Sequence, residues 1–210
     1  AAPYTFACPA DGIRCRVMHE QNNQVLEQSQ AAANSAAHDL HVPLRPGRDT
    51  VPPTTIDIHR ARVLPEWIDY NGHLNMAYYV LMFDNATDRF FDLIDLGVDY
   101  VARSQHSAFV LETHVTYLRE VSLDDPLRFT FQLIDADEKR LHYYFEMFHA
   151  EQGFLAATSE QIALHVNLDA RRSSPFPGAM KQRLDIVLKA HAGLPKPDGA
   201  GRSIGLRARN

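Results

Sequence analysis

The residue types best suited to chemistry lie between Trp67 and Tyr79, where a polar, turn-forming run leads directly into an apolar helical pattern. Asp69, Gly72 and Asn75 follow one another closely there, which places a carboxylate beside the start of a predicted helix. Backbone N–H groups at a helix N-terminus have no partner within the helix, and the helix dipole favours negative charge there. A carboxylate beside such amides is suited to attacking or hydrating a carbonyl group.

Each of these residues also has a purely structural interpretation. Asp69 is a candidate nucleophile or general base, or it caps the turn before the helix. Asn75 can cap the helix, hold a water molecule or contact a carbonyl oxygen, and these roles are compatible. His73 either orients Asp69 or contacts substrate, or it packs locally. Gly72 indicates a backbone requirement, which is a positive φ or the close approach of a ligand.

A long amphipathic helix is predicted directly after this run. Asn75 is a suitable N-cap, and the residues that form one helical face then recur at steps of three and four. They are Met76, Val80, Phe83, Thr87, Phe90 and Ile94. We expect the helix to end near Leu96 and Gly97, since glycine commonly follows the last turn of a helix.

Strands are predicted on both sides of this helix. Residues 56–63 alternate apolar and polar side chains, and residues 106–168 do so over several segments separated by short turns. A second helix is predicted over residues 179–192. One long apolar helix with antiparallel strands predicts a two-layer α+β fold, in which a curved sheet wraps around the helix and dimerisation covers the sheet edges.

The composition is that of one globular domain with extensions, because 45% of the 210 residues are hydrophobic and 22% are charged. We predict a partly helical or mobile N-terminal extension over 1–53, with helix feasible over 17–37. The main domain is predicted over 54–178, and a C-terminal helix with a mobile tail over 179–210. The net charge of −5 gives no overall attraction for nucleic acid or an anionic membrane.

Neither a membrane span nor a metal site is expected. The sequence has no apolar run of membrane-spanning length and does not start with a secretory-signal pattern, so we expect a cytoplasmic protein. Cys8 and Cys15 are too few for a four-cysteine zinc site and are interpreted as free thiols. The eleven histidines include no pair at the spacing of a helical metal motif, and no cofactor is predicted.

Together these residues resemble the hotdog-fold acyl-CoA thioesterases, in particular those like 4-hydroxybenzoyl-CoA thioesterase. The family pattern has an Asp, a Gly three residues later, then often a His, an Asn, and a Tyr ten residues beyond the Asp. Here these positions hold Asp69, Gly72, His73, Asn75 and Tyr79. The resemblance covers residues 56–177 and implies a hotdog fold, a homodimer or dimer of dimers, and hydrolysis of an acyl-CoA thioester through Asp69.

The chain departs from the family pattern at one position. Many members carry a second Asn or a His seven residues after the Asp, where this chain has Met76. We interpret this position as contributing its backbone N–H to a carbonyl oxygen, because an amide at a helix N-terminus does so with any side chain.

Three further stretches resemble a narrower group, the betainyl-CoA thioesterases of carnitine breakdown. They are residues 112–121, 139–142 and 156–161. A short acyl-CoA, with betainyl-CoA as the best single substrate, is therefore expected. A trimethylammonium group requires aromatic contacts, and the residues predicted to bind substrate are Trp67 and Tyr70 first, with Tyr79, Glu112 and Tyr117.

Glu112 shares one strand face with His114, and a charged pair there is ordinarily solvated, although Glu112 could also reach the pocket. The phosphates of CoA require basic residues, and the candidates at strand ends are Lys139, Arg140, Arg171 and Arg172.

Two rival functions stay open from the sequence. One is another hotdog enzyme, such as a dehydratase or a thioesterase for carrier-protein substrates, and the other is a non-catalytic acyl-binding protein.

Overall fold

The computed structural model describes residues 43–206. Cys8, Cys15 and the helix predicted over 17–37 lie outside the described residues. In chain order the elements are β1 (Ile56–Arg62), a 3-10 turn (Pro65–Trp67), α1 (Met76–Leu93), α2 (Val98–Ser104), β2 (His106–Tyr117), β3 (Pro126–Ala136), β4 (Arg140–His149), β5 (Leu155–Asn167), β6 (Arg172–Ser173) and α3 (Gly178–His191).

The long strands form one antiparallel sheet in the order β1-β3-β4-β5-β2, with the short β6 added beside β5. One face of this sheet, called the inner face here, packs on α1. The rings of Phe90 on α1 and Phe131 on β3 stack with centroids 4.1 Å apart, and Phe83 meets Phe129 edge to face at 5.7 Å. A long helix covered by an antiparallel sheet confirms the predicted α+β fold.

Helix α1 starts as predicted and ends earlier than predicted. The side chain of Asn75 accepts a hydrogen bond from the Ala77 N–H at 3.0 Å, which satisfies one of the first amides of the helix. The helix ends at Leu93, and Asp95 then adopts a left-handed φ of 66°. Gly97, predicted to stop α1, instead precedes α2 as its N-cap.

The chain on either side of the sheet is packed against it. The N–H of Leu44 donates to the carbonyl of Leu93 at 2.9 Å, so the chain joins the core ten residues before the predicted boundary at 54. Residues 193–206, predicted to be a mobile tail, lie on the outer face of the sheet, which is the face turned away from α1. There the side chain of Gln132 donates to the Pro195 carbonyl at 3.2 Å.

Protonation of one buried histidine on β1 is unfavourable in the folded protein. The His59 side chain is 7% exposed and its ring lies 5.3 Å from that of Phe129. Its Nε2 has no hydrogen-bond partner among the described residues. Burial, and then the positive charges of Arg89 and Arg60, lower the pKa of His59 from 6.5 to about 4.

The lowered pKa of His59 predicts a loss of stability in acid. As the pH falls from 6.5 towards 4, His59 becomes protonated in the unfolded chain but stays neutral in the folded chain. The free energy of unfolding should fall over this range by roughly 3 kcal/mol from this residue. Urea unfolding of wild type and His59→Phe from pH 7 to pH 4 measures it. The variant should lose less stability than wild type, and parallel curves would contradict the prediction.

Candidate active site

The candidate catalytic residues lie in a closed turn between β1 and α1. Ile68 and Leu74 pair as an antiparallel bridge at its base. Inside the bridge, the N–H of Asp69 donates to the carbonyl of His73 at 2.9 Å. Gly72 has a φ of +83°, a conformation that side chains disfavour and one of the two backbone requirements predicted for it. The turn therefore has one defined backbone path.

The Asp69 carboxylate is held by the turn through one of its two oxygens. The side-chain Oδ1 accepts a hydrogen bond from the N–H of Asn71 at 2.8 Å. The backbone carbonyl of Asp69 accepts a second hydrogen bond, from the N–H of Gly72 at 3.0 Å. This is the turn-capping role expected of a short acidic side chain. The structure gives Oδ2 no partner among the described residues, so capping leaves one oxygen for chemistry.

The start of α1 carries one amide that the fold does not use. The N–H of Asn75 donates to the carbonyl of Trp67 at 2.9 Å, and that of Ala77 donates to the Asn75 side chain. The N–H of Tyr78 donates to the Asn75 carbonyl at 3.0 Å. Within residues 43–206 the N–H of Met76 has no acceptor. Of the amides predicted around Asn75 and Met76, the structure leaves that of Met76 for a ligand.

The connection between β2 and β3 holds this turn from outside, through two residues for which the sequence predicted no such role. The carbonyl of Val121 accepts from the N–H of Leu74 at 2.9 Å. The Glu120 carboxylate lies 3.5 Å from Nδ1 of His73. Both residues end the stretch 112–121 that resembles the betainyl-CoA thioesterases, but nothing in the sequence predicts their contacts with the turn. His73 therefore has a structural partner as well as its place beside Asp69.

The two aromatic residues predicted first to bind substrate, Trp67 and Tyr70, do not lie together. Trp67 is buried, and its ring stacks on that of Tyr78 with centroids 5.5 Å apart. Tyr70 is at the tip of the turn and is 97% exposed. Among residues 43–206, Tyr70 has no ring contact, so these two side chains do not form an aromatic cage with each other.

Tyr79 and Tyr117 form a better-placed aromatic pair. Their rings meet edge to face with centroids 5.1 Å apart, and the Tyr117 hydroxyl approaches the carbonyl of Met76 at 3.5 Å. Burial raises the pKa of both hydroxyls, which keeps them protonated. Tyr117 thus lies at the start of α1, where the free amide is found.

Glu112 lies on the opposite side of the sheet from the helix. Thr113, the next residue, is paired with Gln161, whose side chain lies 3.4 Å from the Thr87 hydroxyl on α1. Neighbouring residues of a strand point to opposite faces, so Glu112 is on the outer face. The structure therefore does not bring Glu112 to Asp69 within one chain.

The basic residues predicted for CoA are at the far end of the sheet from the turn. Asp69 follows the end of β1, which pairs with the start of β3, whereas the β3–β4 turn and β6 lie a strand length away. Ten residues of β4 separate the two ends by roughly 30 Å. The four residues are Lys139, Arg140, Arg171 and Arg172.

Arg140, one of these four, is already paired. Its guanidinium lies 2.6 Å from a carboxylate oxygen of Asp137. Hydrogen bonds from the N–H of Lys139 and from the Arg140 side chain hold the pKa of Asp137 at about 2. Lys139 in turn donates to the hydroxyl of Ser173 at 3.3 Å. Arg140 is therefore engaged with its own turn.

The fold and this turn define a class of protein. The family model described as the thioesterase-like superfamily matches residues 63–184, which is more than half of the chain. The chain belongs to this superfamily, and its resemblance to the hotdog-fold thioesterases is confirmed. None of the helices in residues 43–206 combines the length and apolar character that crossing a membrane requires.

Three individual proteins show what this chain is similar to within the superfamily. A betainyl-CoA thioesterase of Pseudomonas aeruginosa is 44% identical over 144 residues, 69% of this chain and 91% of that protein. An L-carnitine dehydrogenase/betainyl-CoA thioesterase of Rhizobium meliloti is 38% identical over 144 residues, but these are 29% of its length. A hypothetical protein of Staphylococcus aureus, solved in complex with CoA, has a TM-score of 0.70 and 30% identity over 76% of this chain and 99% of that one.

Proposed function

We propose that this protein hydrolyses a short acyl-CoA thioester at the start of α1, with Asp69 as the base or nucleophile. The observation that carries the proposal is the free N–H of Met76 beside a turn that fixes the Asp69 carboxylate through one oxygen. An amide at a helix N-terminus stabilises the negative charge that develops on a carbonyl oxygen. The side chain of Asn75, whose oxygen caps the helix, keeps its Nδ2 as a second donor.

The reaction then follows from these groups. The thioester oxygen accepts a hydrogen bond from the Met76 N–H, which makes the carbonyl carbon more electrophilic. In the general-base route, Asp69 takes a proton from water, the resulting hydroxide adds to that carbon, and the carbon–sulfur bond breaks. In the nucleophilic route, an Asp69 oxygen adds to that carbon and the CoA thiolate leaves as the carbon–sulfur bond breaks, which forms an anhydride. Water then opens the anhydride and supplies the proton taken up by the thiolate. Either route yields a carboxylic acid and the free thiol of CoA.

Betainyl-CoA is the substrate that we propose within this class. The Pseudomonas aeruginosa relative carries that name at 44% identity. The edge-to-face pair of Tyr79 and Tyr117 offers an aromatic surface close to Met76, which suits a trimethylammonium group without N–H donors. A cytoplasmic location is consistent with a CoA thioester substrate and stays a prediction.

We further propose that the working unit is a homodimer formed through β2. This strand ends the sheet, and it exposes apolar side chains, including Phe109 at 52% and Leu111 at 57%. Antiparallel pairing with the β2 of a second copy would extend the sheet across both chains. It would also bring the second copy's β3–β4 turn and β6, with their basic residues, towards the Asp69 turn of the first copy.

The function is tested by a panel of acyl-CoA esters assayed for thiol release. Wild type should hydrolyse betainyl-CoA and leave aromatic and fatty acyl esters largely intact. Asp69→Asn should lower turnover by about 10²–10⁴-fold without changing the thermal unfolding midpoint. The matched control Asp99→Asn, on the exposed side of α2, should keep full activity. No hydrolysis of any ester by wild type would favour an acyl-binding or carrier-protein role.

The role of the Met76 amide is tested by a pair of substitutions. Met76→Pro removes the N–H at the first residue of a helix, the helical position that best tolerates proline. Asn75 already has the extended ψ of 141° that precedes proline. Turnover should fall by about 10²–10³-fold, whereas Met76→Ala, which retains the N–H, should stay within a few-fold of wild type. Equal activity of both variants would contradict the proposal.

Sedimentation measures whether the protein is a dimer or a monomer, and so tests the proposed dimer. Leu111→Lys places a charge on the exposed edge strand and should shift the protein from dimer to monomer, with activity falling in parallel. Leu123→Lys changes a leucine that is exposed to a similar extent, in the connection after β2, and should leave the dimer intact. A wild type that sediments as a monomer while fully active would refute the dimer.

A further inference from the structure

A groove lies between residues 201–206 and the outer face of β2, with a volume of about 930 Å³. The strand contributes residues 114–117 to its lining, and Arg202 supplies a positive charge. We propose that this groove binds the phosphate groups of the nucleotide half of the acyl-CoA substrate, with Arg202 as their main ligand. The inference rests on the proposed thioesterase function and adds a binding site to it.

The backbone on which Arg202 stands is firmly anchored. The N–H of Gly201 donates to both carboxylate oxygens of Glu160, at 2.9 and 2.8 Å. Gly201 has a φ of +76°, a conformation that glycine adopts without strain. Glu160 also lies 2.8 Å from Nε2 of His142. This carboxylate therefore holds the segment in place and has its own partners, which reduces its repulsion of a nearby phosphate.

The guanidinium of Arg202 is available for an anion. It donates to the hydroxyl of Thr116 at 3.2 Å, which orients the side chain without neutralising its charge. Among residues 43–206, no carboxylate lies within ion-pair distance of it, in contrast to Arg140, which pairs with Asp137. A guanidinium presents paired N–H groups that match the oxygens of a phosphate.

The groove lies within reach of the reaction centre. Thr116, which holds Arg202, is followed directly by Tyr117, whose hydroxyl approaches the Met76 carbonyl. The lengths of these side chains limit the distance from Arg202 to the start of α1 to about 20 Å. An extended pantetheine arm spans roughly 15 Å from sulfur to the first phosphorus. Because β2 ends at Tyr117, the arm can pass around the strand end without crossing the sheet.

This site differs from the one that the sequence indicated. Lys139 and Arg172 lie a strand length away from Asp69 and can serve it only from a second copy. Arg202 serves the Asp69 turn of its own chain. It also lies outside residues 63–184, the part that matches the family model, so the site follows from the C-terminal segment of this chain.

Substrates with and without phosphates test the proposal directly. KM is measured for the same acyl group on CoA and on pantetheine, with Arg202→Gln, Arg202→Lys and the exposed control Arg48→Gln, a residue outside both proposed CoA sites. Arg202→Gln should raise KM for the CoA ester about tenfold or more, the effect of losing one charge-assisted contact. Its KM for the pantetheine ester, its kcat and its unfolding midpoint should stay unchanged. Arg202→Lys should recover part of the loss.

The outcomes separate this site from the proposed function. An unchanged KM ratio in Arg202→Gln, or an equal rise in the control Arg48→Gln, would overturn the site while wild-type hydrolysis upholds the thioesterase. A KM rise on both esters would show a structural effect of the substitution and would also overturn the site. If wild type hydrolyses neither ester, the proposed function itself fails.

Discussion

The packing of α1 against the inner face of the sheet decides where each functional group lies. The stacked rings of Phe90 and Phe131, with centroids 4.1 Å apart, are at the centre of that contact. Fixing the helix in this way also fixes its N-terminus, and with it the direction of the amide of Met76. The helix dipole cannot reorient without breaking the core, so the positive end is preorganised for negative charge.

The Asp69 turn depends on the same helix but is held by separate bonds. Its base is closed by the bridge between Ile68 and Leu74, and Val121 ties it to the connection after β2. A backbone group that is hydrogen-bonded within the turn or the helix start cannot also bind a ligand. Asn75 and Ala77 use their amides in this way, which explains why the chain presents a single free amide, at Met76, in the described start of α1.

The sequence allowed prediction of the features that depend on local pattern. The period of α1, the alternation of the strands, the positive φ of Gly72 and the Asn75 cap each follow from neighbouring residues. Contacts between distant residues could not be predicted in this way. Gly97 was interpreted as a helix stop from its residue type alone, whereas the helix ends at Leu93 and Asp95 takes the left-handed conformation.

Long-range contacts also explain the remaining differences. Glu120 and Val121 are placed by the pairing of β2 with β5, and the distance of Lys139 from Asp69 follows from strand register. The family resemblance indicated Asp69 as a candidate because the pattern around it is compact. It gave no indication of Arg202, since the position of that residue depends on the bond from Gly201 to Glu160, on a strand forty-two residues earlier in the chain.

The C-terminal segment has a consequence for how copies of this chain can assemble. It crosses the outer face of the sheet, from Gln132 on β3 to Thr116 on β2, and occupies the layer directly above those strands. Two sheets that stack face to face are about 10 Å apart, with interlocking side chains between them. A tail in that space prevents such stacking. Any contact between copies through this part of the outer face would therefore be made by the segment and not directly by the sheet.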